Sequence, residues 1–193
     1  MTNDSPILTE RFDDALAYAN RVHRRQIRKG SNIPYVSHLL GVAAIAIENG
    51  ADEDQAIAAL LHDAVEDQGG AKRLADIQQR YGDKVARIVA DCTDADTIPK
   101  PPWRERKEAY LASLAKKPAT SLEVSLADKT HNASAIVADL HAHGETVWER
   151  FTGGKDGSLW YYRALADAFH QFAPGVAATR YSRLVDEMET LSR

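Results

Sequence analysis

An all-α fold of about eight to ten helices is what this sequence predicts, on three observations. Apolar residues recur at helical spacing along most of the chain, strand-like alternation is almost absent, and Gly or Pro interrupts the pattern at intervals. Thr9 is placed to cap a first helix running to about Lys29, with Phe12, Leu16, Ala19, Val22 and His23 on its inner face. Residues 30–36, GSNIPYV, read as a loop. Ser37 caps a second helix, HLLGVAAIAIEN, which Gly50 stops. Asp52 or Asp54 starts a third, which carries LLHDAVED and ends at Gly69-Gly70. Short helices follow at about 72–81 and 83–93, then a proline-rich loop, DADTIPKPP, at 94–102. A helix from Trp103 to Lys116 stops before Pro118, and a longer one runs from about Thr120 to His141. Gly153, Gly154 and Gly157 mark a loop before a helix from about Ser158 to Phe172. Pro174-Gly175 breaks that helix and a last one ends the chain. There is no internal repeat, no low-complexity segment and no linker long enough to divide the chain.

Bulk properties narrow the partners. The 193 residues suffice for one domain with a sizeable core, and 44% apolar with 27% charged is ordinary for a soluble globular protein. A net charge of −4 without a basic run argues against large nucleic acids. The single cysteine, Cys92, excludes an intrachain disulfide and fits a reducing compartment; Asp91 and Asp94 beside it disfavour a thiolate. MTNDSPILTERFDD has neither a basic start nor an apolar core, so it does not read as a signal peptide. No apolar stretch approaches the roughly 20 residues of a membrane span. A cytoplasmic protein without a membrane partner is expected; the oligomeric state is not legible.

The chemistry concentrates in LLHDAVED, residues 60–67. On one continuous helix His62, Asp63, Glu66 and Asp67 fall within an arc of roughly 140°, while Leu60, Leu61, Ala64 and Val65 take much of the rest. A solvated face explains Glu66 and Asp67 well. It explains an adjacent His-Asp pair less well, because solubility does not ask for imidazole. Among the seven histidines, His23 lies on an apolar face and reads as core, and His141, His143 and His170 read as structural or solvated. His131 fits either use. His38 opens a helix after a turn. Asp128, in LADKTHN, sits on a helix whose Leu122, Leu126 and Ala127 are apolar, and a packed Asp needs a partner. His38, His62, Asp63 and Asp128 make an N/O set without thiolate, suited to Mn²⁺, Fe²⁺ or Zn²⁺ with positions left for water.

These residues resemble the HD-domain superfamily of metal-dependent phosphohydrolases, with its ligand order H…HD…D. More narrowly they resemble the hydrolase domain of the RelA/SpoT homologues, in particular the small alarmone hydrolases. The matching stretches are RRQIRKGSNIPYVSHLLGVA (24–43), AALLHDAVED (58–67), LADKTHN (126–132) and FTGGKDGSLWYYRALADAF (151–169). The resemblance implies a compact HD-domain helical bundle, one HD-type hydrolase domain over 1–193 with its motifs within about 9–172. It implies that His38, His62, Asp63 and Asp128 ligate Mn²⁺, and that Glu66 and Asp67 orient or deprotonate the attacking water. Arg28 matches a base-packing arginine and Lys29 is its basic neighbour. Asn132 and Lys129 would serve the ribose–phosphate region or position Asp128, and Tyr162 would line the nucleotide pocket. Some relatives carry an arginine near Ser158. Here the cations nearest that role are Lys155, Lys100 and Arg104.

The implied activity is hydrolysis of the 3′-pyrophosphate of (p)ppGpp to GDP or GTP and pyrophosphate, with a small-molecule nucleotide as substrate. Another nucleotide, NADPH through its 2′-phosphate or an adenosine alarmone, would use the same residues with another base pocket. From a different class, a non-catalytic nucleotide sensor would keep the pocket alone.

Overall fold

The computed structural model describes residues 8–94, 99 and 101–193. Helices account for about three quarters of it, and the β structure among the described residues is one isolated bridge, Ile27 to Pro34. Two compact units divide the chain, residues 1–96 and 97–193.

The first unit holds α1 (Glu10–Val22), α2 (Val36–Glu48), α3 (Glu53–Leu61), α4 (Ala64–Gln68), α5 (Gly70–Tyr81) and α6 (Asp83–Cys92). Its centre is α3, where every residue from Gln55 to Leu61 is buried against α1, α2 and α6. Full burial of Leu60 and Leu61 stabilises the unit by about 1.5–3 kcal/mol each. The entry to α3 is locked by a capping box in which Asp52 and Gln55 satisfy each other's backbone N–H. Thr9 caps α1 as expected, its Oγ1 accepting from the Arg11 N–H at 3.3 Å. Its own N–H and hydroxyl donate to Glu53 Oε1 at 2.6 and 2.7 Å, so the cap also ties α1 to α3.

Three sequence expectations fail here, each for a tertiary reason. The first helix stops at Val22, not Lys29. No local breaker stands before Gly30. Instead His23 is buried with its ring stacked on Tyr35, and the chain doubles back, Arg28 N–H donating to Ile33 C=O and Tyr35 N–H to Gln26 C=O, both at 2.9 Å. The second helix starts at Val36 with Tyr35 in the capping position and no side-chain cap, so Ser37 is not its N-cap. The third helix is interrupted at His62-Asp63, where Asp63 has φ −95° and ψ −4°, and resumes as α4. The four polar groups of LLHDAVED therefore do not share one continuous helical face.

The second unit holds α7 (Trp103–Leu114), α8 (Ala119–His143), a 3-10 helix (Gly144–Arg150), α9 (Gly154–Phe172) and α10 (Val176–Leu191). The long α8 packs against α10, α9 and the 3-10 helix around Leu122, Leu126, Ile136, Trp148, Phe169 and Tyr181. The glycines at 153–157 do not mark a loop, since α9 begins at Gly154. They accommodate Trp103: a Cβ on Gly153 would lie 2.7 Å from its indole, and one on Gly157 3.2 Å. No described helix is long and apolar enough to cross a membrane.

Candidate metal and catalytic centre

In the first unit the α3–α4 interruption brings His62 and Asp63 to His38 on α2. The Nε2 atoms of His38 and His62 are 3.3 Å apart, and Asp63 Oδ2 lies 3.4 Å from the first and 3.0 Å from the second. Both imidazoles are 1% exposed. His62 Nδ1 sits 2.8 Å from the Ala59 carbonyl, which only accepts, so Nδ1 carries the proton and the Nε2 lone pair of the neutral ring faces His38 and Asp63. Two imidazole nitrogens and a carboxylate oxygen converge at this range, and these N/O donor types fit a borderline divalent metal. The fixed His62 tautomer is the arrangement that ligating histidines use.

Tyr35 completes this corner. Its hydroxyl donates to Asp63 Oδ2 at 2.5 Å, and its ring lies between His23, stacked at 5.3 Å, and His38, edge-on at 5.4 Å. The sequence reading took IPYVS only as a turn and missed this role. A tyrosine three residues before a candidate ligand, with a hydroxyl needing a partner, was the available signal. His23 is core, as expected. Burial lowers its tendency to hold a charge, a trend that a hydrogen bond to Gln26 partly opposes.

Glu66 and Asp67 follow on α4. Glu66 is half-buried and its Oε2 accepts from the Asp94 N–H at 3.2 Å, while the more exposed Asp67 accepts from Gln26 Nε2 at 2.7 Å. Arg28 and Lys29 lie in the segment that doubles back after α1, six and seven residues beyond its last turn.

In the second unit Asp128 is buried on α8 with both oxygens engaged, Oδ1 by Asn132 Nδ2 at 2.6 Å and Oδ2 by Lys129 Nζ at 2.7 Å. Burial pushes the Lys129 ammonium down, but Asp128 together with Tyr110 and Tyr161 outweighs it and holds the group well above the ordinary lysine range. Two donors fix the carboxylate and leave each oxygen further accepting capacity. Tyr162 is buried on α9 and its carbonyl accepts from the Tyr181 hydroxyl at 3.4 Å. Lys155, in the first turn of α9, pairs with Glu145 at 2.5 Å. Ser158 is buried, and the Arg104 guanidinium stacks on Trp160 at 3.3 Å while bonding Glu108. Lys100 lies outside the described residues. His141, His143 and His170 are exposed, as the solvated reading expected.

The family described as HD domain matches residues 15–158. A Drosophila melanogaster protein named guanosine-3′,5′-bis(diphosphate) 3′-pyrophosphohydrolase MESH1 is 33% identical over 141 residues, 72% of this chain and 74% of that protein. The protein of the same name from Xenopus tropicalis is 36% identical over 135 residues, 68% and 70% of the two chains. A solved structure described as a metazoan ortholog of SpoT that hydrolyzes ppGpp and plays a role in starvation responses aligns at a TM-score of 0.77 and 26% identity, over 94% of this chain and 97% of that one.

Proposed function

We propose that this chain, which belongs to the HD-domain family, is a metal-dependent (p)ppGpp 3′-pyrophosphohydrolase that uses Mn²⁺. The observation that carries the reading is the meeting of the buried His38 Nε2 and His62 Nε2 with the half-buried Asp63 carboxylate, one turn before Glu66 and Asp67. The substrate is taken from the relatives named for that activity. The family match covers residues of both compact units, and we read 1–193 as one HD-type hydrolase domain.

In this reading His38, His62, Asp63 and Asp128 hold the metal, Asp128 entering on the family's H…HD…D order. Two imidazoles favour Mn²⁺ over Mg²⁺, which prefers oxygen donors. The metal's contribution when bound is Lewis acidity, which polarises a phosphoryl oxygen and makes water easier to deprotonate. Glu66 and Asp67 accept the proton of the attacking water. The water oxygen bonds the 3′-linked phosphorus, the bond from that phosphorus to the ribose oxygen breaks, and the released oxygen takes a proton. The products are GDP or GTP and pyrophosphate. Arg28 packs on the base by a guanidinium–π contact, with Lys29 beside it. Tyr162 lines the nucleotide pocket, and Lys129, Asn132 and Lys155 serve the ribose and phosphates.

A substrate panel tests this. Purified protein with Mn²⁺ should release pyrophosphate from ppGpp and pppGpp, products resolved by anion exchange, and leave GTP intact. Release of orthophosphate from NADPH without pyrophosphate from either alarmone would replace the substrate assignment.

A further inference from the structure

Gln26 stands at the centre of a hydrogen-bond chain that ends on Asp67. It lies in the turn after α1, half-buried, with its backbone held on both sides: N–H to the His23 carbonyl and C=O from the Tyr35 N–H, each at 2.9 Å. Its side chain has three partners, all at 2.7 Å. Oε1 meets His23 Nδ1 and Gln68 Nε2, and Nε2 meets Asp67 Oδ2.

The partners fix which way the amide points. The Asp67 carboxylate only accepts, so the group facing it must be the Gln26 NH₂. The Gln26 oxygen then accepts from the Gln68 amide and from His23, which places the His23 proton on Nδ1. His23 cannot turn away, being 2% exposed and stacked on Tyr35. The buried ring thus anchors the Gln26 side chain in place, and Gln26 holds one oxygen of the Asp67 carboxylate.

We propose that Gln26 is a positioning residue for hydrolysis, holding Asp67 in the geometry in which it serves the attacking water. This rests on the hydrolytic reading above. The competing role is a plain staple joining the turn after α1 to α4, which the two bonds at Oε1 would supply by themselves.

Gln26→Glu separates the two roles. Glutamate keeps the acceptor for His23 and Gln68 but replaces the donor to Asp67 with a carboxylate. Pyrophosphate release from ppGpp with Mn²⁺ should show kcat down about tenfold to hundredfold and KM within about threefold of wild type. In an Asp67→Asn background, where Asn can donate to the new glutamate, the same change should cost under about threefold. Gln68→Met, which removes a staple bond and leaves the Asp67 contact, should keep kcat within about threefold.

An unchanged kcat for Gln26→Glu overturns the proposal. So does an equal loss in the Asp67→Asn background, or a loss in Gln68→Met as large as in Gln26→Glu. Thermal melts cover the case in which Gln26→Glu is too unstable to assay. Rescue to a wild-type Tm by Asp67→Asn supports the pairing, and no rescue overturns it. Wild-type protein that releases no pyrophosphate overturns the hydrolytic reading itself, whereas an active wild type with an unaffected Gln26→Glu overturns this inference alone.

Discussion

Glu66→Gln removes a charge and keeps the side chain's size and shape. In the structure Glu66 Oε2 accepts from the Asp94 N–H at 3.2 Å, and a glutamine carbonyl can take over that bond. The side chain is half-buried beside buried Val65, and the substitution keeps its volume. Loss of stability should therefore stay within about 0.5 kcal/mol, the usual range for a change that breaks no packing or buried bond. What disappears is a base. General-base loss typically costs about 10²- to 10⁴-fold in kcat, or about 2.7 to 5.4 kcal/mol at 1.36 kcal/mol per decade. The low end applies if Asp67, its neighbour on α4, shares the proton. The assay is steady-state pyrophosphate release from ppGpp with bound metal quantified, alongside a thermal melt. The variant should keep its metal, its Tm and a KM within a few-fold of wild type. A near wild-type kcat at full metal occupancy would refute the reasoning and return Glu66 to a solvated helix face.

Three more outcomes follow from other contacts. Tyr35→Phe keeps the stack on His23 but loses the hydroxyl bond to Asp63, so metal affinity measured by calorimetry should fall about 10- to 100-fold; an unchanged affinity sinks that orienting role. Gly153→Ala forces a Cβ to within 2.7 Å of the Trp103 indole, a clash of about 1–3 kcal/mol, so Tm should drop by several degrees; an unaltered melt would show that Trp103 shifts freely. Burial holds the folded-state pKa of His23 below its ordinary value of about 6.5, so the unfolded chain binds that proton more readily. His23 then contributes stability that is intact above about pH 6.5 and is lost as pH falls toward the folded-state value. Unfolding free energies against pH should show this slope in wild type and a flatter one in His23→Phe; equal slopes would remove His23 from the account.

Helix content and most helix ends were legible because they rest on local signals: the Thr9 cap, the Gly50 stop, and Pro118 before α8. The misplaced ends share a different cause. Nothing near Val22 breaks a helix; the stacking of His23 on Tyr35 and the backbone pairing of residues 26–35 do, and that partner lies a dozen residues away. Gly153 and Gly157 read as a loop when their cause is Trp103, about fifty positions earlier. At the site, donor types pointed to His38, His62 and Asp63, which the structure brings together. The helix break that lets adjacent His62 and Asp63 converge had no local mark. Gln26 and Tyr35 stayed hidden because an amide and a phenol acquire a function only through the groups they touch.

A metal held by the buried imidazoles of His38 and His62 and the half-buried carboxylate of Asp63 is what (p)ppGpp hydrolysis should depend on. The direct measurement is pyrophosphate release from ppGpp by chelator-stripped full-length protein, with metal content assayed in each sample as Mn²⁺ or Mg²⁺ is added back. Turnover should be absent without metal, recover to saturation near one Mn²⁺ per chain, and recover more weakly with Mg²⁺. Full turnover in protein verified to be free of metal would contradict that dependence.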